Sequence, residues 1–377
     1  MTWWQFWTDP KVKPVILELV TQFERENPSV KVQLTDLTWS DGHEKIVVAF
    51  SSNTAPDILE LGSDWVSEFS YEGVLEEVTL QAEKIKDDYL MWTPAMASSK
   101  IYGFPWILDT RVLFYNKDLM KKVGLDPKFP PQTWSELLDA CQNINQLKPK
   151  FYGFGANAFE RHRLYKKFLP FLWSNGANIL SDDLKSCIIN SSQAKQALEF
   201  YNKLTDNGII DIQTRLDELF AGGKIGFAIS GGWLLKNIRA NYPDLNFGVT
   251  LMPRPDKNRG IPASFAGGEF LVINHKSRNK QTALKFIEFL IRKENTYRVC
   301  QSIGSALPSA KGIYYAEDND LAVFQEQLKY AISPPAHPKW VYMEEIIEKK
   351  IEQVMYDKKT AWVALNEAKE EIDKFLK

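Results

Sequence analysis

From its first residues, the chain alternates short apolar runs with segments of helical periodicity. Residues 3–7, 30–34 and 58–61 are apolar runs of strand length. Between the first two, apolar side chains recur every three or four residues, and Asn27-Pro28 predicts where that helix ends. This β-α-β-α order predicts an α/β fold, in which helices cover a sheet of parallel strands.

The same alternation continues along the chain. Thr133-Trp134-Ser135-Glu136 is a capping box after two prolines, so a helix is expected to begin there. Further strands are predicted at 112–115, 225–229, 247–252 and 270–273, and helices at 116–123, 192–207, 279–291, 340–356 and 361–376.

Three stretches rich in proline and glycine are the best boundaries between domains: 103–110, 253–268 and 304–312. None is a long linker, so we expect two lobes that the chain visits more than once. The expected N-terminal lobe comprises 1–110 and 266–308, and the C-terminal lobe comprises 111–265 and 309–377. A length of 377 residues suits such an arrangement.

The charge balance and the hydropathy argue against several classes of protein. The net charge is −2, so no overall field attracts nucleic acid or anionic lipid, and we expect no nucleic-acid partner. No run approaches the ~18 apolar residues of a membrane-spanning helix. No secretory leader precedes the first strand, so we expect a native signal or lipid anchor to be missing from this chain.

Motifs for cofactors and metals are weak. Gly153–Ala158 fits G-x-G-x-x-A, but no clear strand precedes it and no helix opens on it. The histidines lack metal-ligand spacing, and the three cysteines are scattered, which argues against zinc and a disulfide framework. We expect no metal and no cofactor.

Aromatic residues make up 13% of the chain, and tryptophans recur just past predicted strands, beside polar residues. Ligands of α/β proteins bind at such carboxyl ends of strands. The candidate ligand-binding residues are Trp7, Thr8, Trp39, Ser63, Asp64, Trp65, Trp106, Asp109, Arg111, Trp173, Asn175, Gly232, Trp233, Gly267, Glu269, His337 and Trp340.

This pairing of rings with polar groups suits a sugar. A tryptophan face covers the apolar C–H face of the sugar, and carboxylates, amides and arginine bind its hydroxyls. Trp233 follows two glycines that let backbone approach a ligand. We therefore expect Trp233→Ala to weaken binding with little effect on stability. Tryptophans within strands and helices have an alternative role in the core.

An ordered set of motifs then resembles a known family. The motifs are Trp3-Trp4-Gln5-Phe6-Trp7, Phe23-Glu24-x-Glu26-Asn27-Pro28-x-Val30-Lys31-Val32, Ala55-Pro56-Asp57-Ile58, Gly73-x-Leu75, Tyr115-Asn116-Lys117-Asp118-Leu119, Pro131-x-Thr133-Trp134-x-Glu136, Gly231-Gly232-Trp233 and Gly267-Gly268. Together they resemble the family 1 extracellular solute-binding proteins of ABC importers, which include maltose-binding and glycerol-3-phosphate-binding proteins.

The resemblance implies a type II periplasmic-binding-protein-like fold, with two α/β lobes joined by a multi-segment hinge. It implies closure on a carbohydrate, docking onto permease subunits, and a periplasmic or extracytoplasmic membrane-anchored location. Asp64 and Asp109 would bind hydroxyls, and Trp233 would stack on the sugar. Leu61 and Trp65 stand where the maltose-binding branch has an aromatic residue and arginine, so the pocket differs.

Two alternatives stay open. A glycoside hydrolase could use Asp64 or Asp109 with Glu269, since that chemistry needs two carboxyl groups flanking one bond. A binder of a small compatible solute, such as a glycosylated polyol, would differ only in pocket size. No Arg/Lys cluster gathers among the candidates, which argues against a phosphorylated ligand.

Overall fold

The computed structural model describes residues 1–147, 151–313 and 317–376. Its strands are β1 (Thr2–Gln5), β2 (Gln33–Asp36), β3 (Ile58–Gly62), β4 (Met96–Ala97), β5 (Lys100–Ile101), β6 (Phe104–Thr110), β7 (Val112–Asn116), β8 (Tyr152–Asn157), β9 (Gly208–Asp211), β10 (Ile225–Ser230), β11 (Phe247–Thr250), β12 (Ser264–Ile273), β13 (Leu307–Pro308) and β14 (Ala331–Ile332).

The helices are α1 (Lys13–Glu26), α2 (Gly42–Ser51), α3 (Ser63–Tyr71), α4 (Thr79–Ala82), α5 (Lys117–Lys122), α6 (Trp134–Asn145), α7 (Tyr165–Ser174), α8 (Ser192–Asp206), α9 (Gln213–Ala221), α10 (Gly232–Asn241), α11 (Lys280–Leu290), α12 (Lys293–Ile303), α13 (Asn319–Leu328), α14 (Trp340–Met355) and α15 (Ala361–Leu376). The predicted α/β fold is confirmed. Within the described residues, no helix has the length and apolarity needed to cross a membrane.

The chain packs as two compact units. Unit 1 comprises Met1–Asp109, Gly267–Tyr314 and Ala336–Trp340, and unit 2 comprises Thr110–Ala266, Tyr315–Pro335 and Val341–Lys377. From the sequence, residues 309–377 are expected together in the C-terminal lobe, whereas in the structure 309–313 and 336–340 lie in unit 1. None of the three boundaries predicted from the sequence lies at 336–340, whose return to unit 1 is therefore not predicted.

Unit 1 is built on a mixed sheet in the order β13-β6-β12-β3-β1-β2. The first residues of β12, Ser264 and Phe265, belong to unit 2 and pair there with β14. β1 runs parallel to β2 and β3, as the β-α-β-α pattern predicts. β12 runs antiparallel to β3, a pairing that connects residues distant in the sequence. Trp3 lies fully buried in this core, against the rings of Trp106 and Phe286.

Unit 2 contains the sheet β11-β7-β10-β8-β9. The predicted weak motif Gly153–Ala158 lies largely within β8 rather than in a phosphate-binding turn. A Cβ on Gly153 would come within 2.2 Å of the Cys141 carbonyl oxygen on α6. This glycine therefore permits close packing of a helix on the sheet, which accounts for the motif without a nucleotide.

Local capping signals explain where several helices begin. The Thr133 hydroxyl accepts the Glu136 amide, and the Glu136 carboxylate accepts the Thr133 amide, which confirms the predicted capping box of α6. Asn116 caps α5 by accepting the amides of Asp118 and Leu119. The first strand ends earlier than predicted, at Gln5, so Trp7 lies in the turn that follows it.

Candidate functional site

In unit 1, polar and aromatic side chains gather at the carboxyl end of β3. The strand ends at Gly62, and α3 begins at Ser63. Asp64 therefore lies in the first turn of α3, where the free amides of a helix favour a carboxylate. Because β1 and β2 run parallel to β3, the segments that follow these two strands reach the same edge of the sheet.

Three rings form an aromatic cluster at this edge. Phe6 stacks on Trp39 with a centroid distance of 4.1 Å and an interplanar angle of 17°. The ring centroids of Trp65 and Trp39 are 5.5 Å apart, and their planes are tilted by 48°. Phe6 is buried, whereas Trp39 is 45% exposed, so the cluster presents an indole to solvent. An exposed tryptophan supported from beneath by another ring is a rigid apolar platform.

Gly62 lies at the centre of these side chains. A Cβ placed on it would be 3.4 Å from Asp64 Oδ1, 3.6 Å from the Trp39 ring and 3.7 Å from the Trp65 ring. The predicted residues Trp39, Asp64 and Trp65 are therefore brought together. A carboxylate beside two indoles can accept hydrogen bonds from hydroxyls while the rings cover an apolar face.

Four carboxyl groups interact electrostatically in the same region. Glu60 is fully buried, accepts the Phe6 amide at 2.9 Å, and has its pKa raised to about 8 because burial disfavours its charge. The pKa of Glu269 is raised well above its ordinary value, first by burial and then by the charges of Glu60, Asp109 and Asp64. These acids therefore cannot all be ionised at neutral pH.

Other predicted residues of unit 1 lie around this region. Trp7 is half-buried and its amide donates to Gln5 Oε1 at 2.6 Å, while Thr8 is exposed in a tight turn. His337 is half-buried, and its carbonyl accepts the Ser67 hydroxyl of α3 at 3.3 Å. Burial and the charge of Lys339 lower the pKa of the His337 imidazole.

Ser63 and Gly267 are both buried. The Ser63 hydroxyl lies 3.4 Å from Asp64 Oδ1, and Gly267 lies within β12.

Two tryptophans predicted to bind ligand in unit 1 are core residues instead. Trp106 is 0% exposed and packs edge-on against Trp3 inside the sheet. Trp340 is 1% exposed. A ring enclosed by protein on both faces has no surface left for stacking on a sugar, which corrects both assignments.

In unit 2, Trp233 is part of a polar cluster. Its Nε1 donates to Asp217 Oδ2 at 2.9 Å. Asp217 also accepts Gln213 Nε2 at 2.7 Å and the Ser230 hydroxyl at 3.4 Å. Burial raises the pKa of Asp217, and the charge of Lys167 opposes that rise. The indole therefore supports a mostly buried carboxyl group, a structural role that was not expected from the sequence.

Cations lie on the ring of Trp233. The guanidinium carbon of Arg111 is 4.5 Å from its centroid, and Lys167 Nζ is 5.4 Å from it. Arg111 and Lys166 also lie 5.4 and 5.1 Å from the Phe265 ring. The expectation that no Arg/Lys cluster would gather near the candidates was therefore wrong, because α7 brings Lys166 and Lys167 to Trp233 and Phe265.

Trp173 and Asn175, predicted to bind ligand, are buried at the end of α7. The Asn175 side chain donates to the Gln193 carbonyl at 2.8 Å and to Gln196 Oε1 at 3.2 Å. Asn175 therefore belongs to the packing of α7 on α8, and Trp173 is 5% exposed, so little of its ring is left for a ligand, which corrects that prediction. Gly232 is buried as the first residue of α10, directly before Trp233.

Glu60, Lys167 and Asp217 are not among the residues predicted from the sequence. A signal existed for two of them: Glu60 and Lys167 are charged residues within apolar segments, and such charges are rarely buried unless they have a partner. Asp217 carried no such signal, because it lies in an ordinary amphipathic helix. Among the residues described, no group of three or more His, Cys, Asp or Glu side chains is placed to hold a metal ion.

Comparisons with known proteins agree with this architecture. Residues 9–297 match the family model described as bacterial extracellular solute-binding protein. A binding protein of Brucella abortus (strain 2308) is 28% identical, over 97% of this chain and 91% of its own length. The chain belongs to the bacterial extracellular solute-binding protein family.

Solved structures extend the likeness to the whole chain. An ABC transporter solute-binding protein from Thermotoga lettingae, bound to α-D-tagatose, has a TM-score of 0.86 and 26% identity, covering 100% of this chain and 99% of that one. The sugar-binding protein MalE from Xanthomonas citri has a TM-score of 0.87 and 27% identity, covering 100% and 96%. The fold expected from the resemblance is confirmed.

Proposed function

We propose that this chain is the substrate-binding component of an ABC importer and that its ligand is a carbohydrate. The observation that carries the proposal is the exposed indole of Trp39, stacked on Phe6, beside Trp65 and the Asp64 carboxylate. A platform of rings with a carboxylate at its edge matches the apolar face and hydroxyl rim of a sugar. The sugar named for the Thermotoga relative supports the same ligand class.

In unit 2, Arg111 is buried and its Nη1 donates to the Thr110 carbonyl at 3.2 Å. We expect its other donors to meet ligand hydroxyls. Its guanidinium is a fork of several donors, held in place by the Trp233 ring. Closure of the two lobes on the ligand, delivery to permease subunits, and a periplasmic or extracytoplasmic location are parts of the same proposal. They rest on membership of an extracellular solute-binding family.

The test is a thermal-shift screen against tagatose and a panel of mono-, di- and trisaccharides and glycosyl polyols. A ligand at a hundred times its Kd stabilises the folded state by about 2.7 kcal/mol, which a melting curve resolves. We expect at least one carbohydrate to raise the Tm. No shift with any member of the panel would contradict the proposal.

Matched tryptophan variants locate the site. Trp39→Ala removes the platform in unit 1, whereas Trp362→Ala removes a tryptophan of the same exposure, 46% against 45%, on α15 of unit 2. We expect Trp39→Ala to weaken sugar binding by about tenfold or more, because a stacked ring is a typical binding hot spot. Trp362→Ala should bind as wild type does. Equal effects of the two variants would argue against the platform.

The hydrolase alternative predicts turnover rather than binding alone. Incubation with aryl glycosides should release no aryl alcohol if the chain only binds its ligand. Release that is lost in Asp109→Asn would instead assign catalysis to these carboxyl groups.

A further inference from the structure

The register of β3 and β12 places two glutamates on one face of the sheet. Glu269 is directly opposite Gly62, and Leu271 is opposite Glu60, in an antiparallel pair. Glu60 and Gly62 are two residues apart and share a face, so Glu60 and Glu269 are diagonal neighbours on it. Diagonal positions are about 7–8 Å apart at Cα, within reach of two long side chains. Gly62 has no side chain to separate them.

Each of these glutamates has a buried oxygen that lacks a well-aligned donor. Glu60 Oε2 accepts the Phe6 amide, and the Trp7 side chain also interacts with the Glu60 carboxyl group by a hydrogen bond that lowers the pKa of that group. Glu60 Oε1 nevertheless has no partner at good hydrogen-bond geometry among residues 1–147, 151–313 and 317–376. The same holds for Glu269 Oε2 within those ranges. A buried acceptor normally finds a donor. A proton held by one glutamate would supply that donor to both oxygens at once.

The electrostatic surroundings also favour a proton on this pair. The groups that act on Glu269 are Glu60 on β3, Asp109 on β6 and Asp64 at the start of α3, all of them acidic. Burial, and then the charge of Glu269, raise the pKa of the Cys300 thiol on α12. Two neighbouring carboxyl groups removed from water cannot both ionise without strong repulsion. The pair titrates as one unit, with macroscopic pKa values.

We propose that Glu60 and Glu269 share one proton, and that Glu60 is a positioning residue that holds the Glu269 carboxylate for a ligand hydroxyl. Glu60 accepts the Phe6 amide with Oε2, and its Oε1–H donates to Glu269 Oε2. The pair then carries a single negative charge, centred on Glu269. The positioning role rests on the proposed function, whereas the shared proton does not depend on any ligand.

The proton makes ligand affinity depend on pH. When it leaves, the buried Glu60 carboxylate and the half-buried Glu269 carboxylate repel each other, and the Glu269 side chain turns from the position in which it accepts a hydroxyl. The pKa of Glu60, about 8, places this loss in the alkaline range. Glutamine at position 60 would reproduce the neutral acid, because its oxygen can accept the Phe6 amide while its nitrogen donates to Glu269 at every pH.

The first experiment needs no ligand. Infrared difference spectra between wild type and Glu60→Gln, recorded at pH 7, should show the carbonyl stretch of a protonated carboxylic acid in wild type that the variant lacks. Glu72→Gln, an exposed glutamate of the same unit, is the matched control and should retain the band. Glu348, whose pKa burial and Glu344 raise to about 7, contributes the same band to both proteins, so the difference spectrum cancels it. Absence of the band from the difference spectrum would overturn the shared proton.

The second experiment measures Kd against pH, with tagatose as the first probe and then the best ligand of the sugar panel. We expect the wild-type Kd to rise about tenfold between pH 7 and pH 9. Glu60→Gln should rescue affinity at pH 9 and give a flat profile, while Glu60→Leu, which lacks the donor, should bind more weakly at both pH values. If the Kd of Glu60→Gln depends on pH as the wild-type Kd does, the positioning role is overturned. If no sugar binds, the proposed function fails, and the infrared band still decides the shared proton.

Discussion

The Trp233 indole allows the clearest single perturbation in unit 2. Trp233→Phe keeps a ring on which Arg111 can pack but removes the Nε1–H that donates to Asp217 Oδ2 at 2.9 Å. Gln213 and Ser230 still donate to Asp217 Oδ1 in this variant. Asp217 Oδ2 loses its donor, Trp233 Nε1, in a mostly buried site. Leaving a buried acceptor unsatisfied costs about 1–3 kcal/mol. For a unit of this size, that corresponds to a fall in Tm of roughly 2–12 °C.

The assay is a double-mutant cycle of thermal or urea unfolding with wild type, Trp233→Phe, Asp217→Asn and the double variant. If the hydrogen bond carries the effect, the double variant should be less destabilised than the sum of the single variants. The reasoning is refuted if Trp233→Phe has the same Tm as wild type and the double-mutant cycle shows no coupling between positions 233 and 217. The expectation that Trp233→Ala has little effect on stability is revised, because that variant loses both the hydrogen bond to Asp217 and the packing of the ring over Gly231.

Three further substitutions test other contacts. Gly231→Ala would place a Cβ 2.0 Å from the Trp233 ring. Because the φ of Gly231 is −98°, which alanine also adopts, the steric clash alone should displace the ring and lower the Tm more than Trp233→Phe does. An unchanged Tm would argue against this packing. Burial, and then the charge of Glu344, raise the pKa of Glu348 to about 7. The folded state therefore holds a proton that the unfolded state releases above about pH 4.5, and stability should fall by on the order of 3 kcal/mol from pH 4.5 to 7. Glu348→Gln should flatten that part of the pH dependence of urea unfolding, and a slope equal to wild type would contradict the assignment. Asn116→Ala removes the N-cap of α5 and should cost about 1 kcal/mol in the same assay, whereas no loss would mean that the cap contributes little.

Much of the local structure follows from neighbouring residues alone. The capping box at Thr133 and Glu136 places the start of α6 correctly, because both partners lie within one helical turn. The predicted helices at 192–207 and 361–376 agree closely with α8 and α15, since apolar periodicity over three or four turns is a strong signal. The α/β class follows from the order of such elements.

The burial of individual tryptophans could be predicted only in part. Trp173 lies on a helix that is apolar nearly all round, and such helices are buried, so that signal was present in the sequence. Trp106 carried no such signal, because its short run of apolar residues suits a strand end as well as a central strand. Its burial follows from the pairing of β6 with β12 and β13, which the sequence does not specify.

By itself, the sequence determined the class of fold, the starts of several helices and the chemical character of the candidate site, because caps, periodicity and composition are properties of contiguous residues. The tertiary structure decided which of those residues meet. The pairing of β3 with β12 brings Glu60 beside Glu269, and the placement of α9 brings Asp217 to the Trp233 indole. Such contacts depend on strand register and helix packing, in which a shift of one residue turns a side chain to the opposite face.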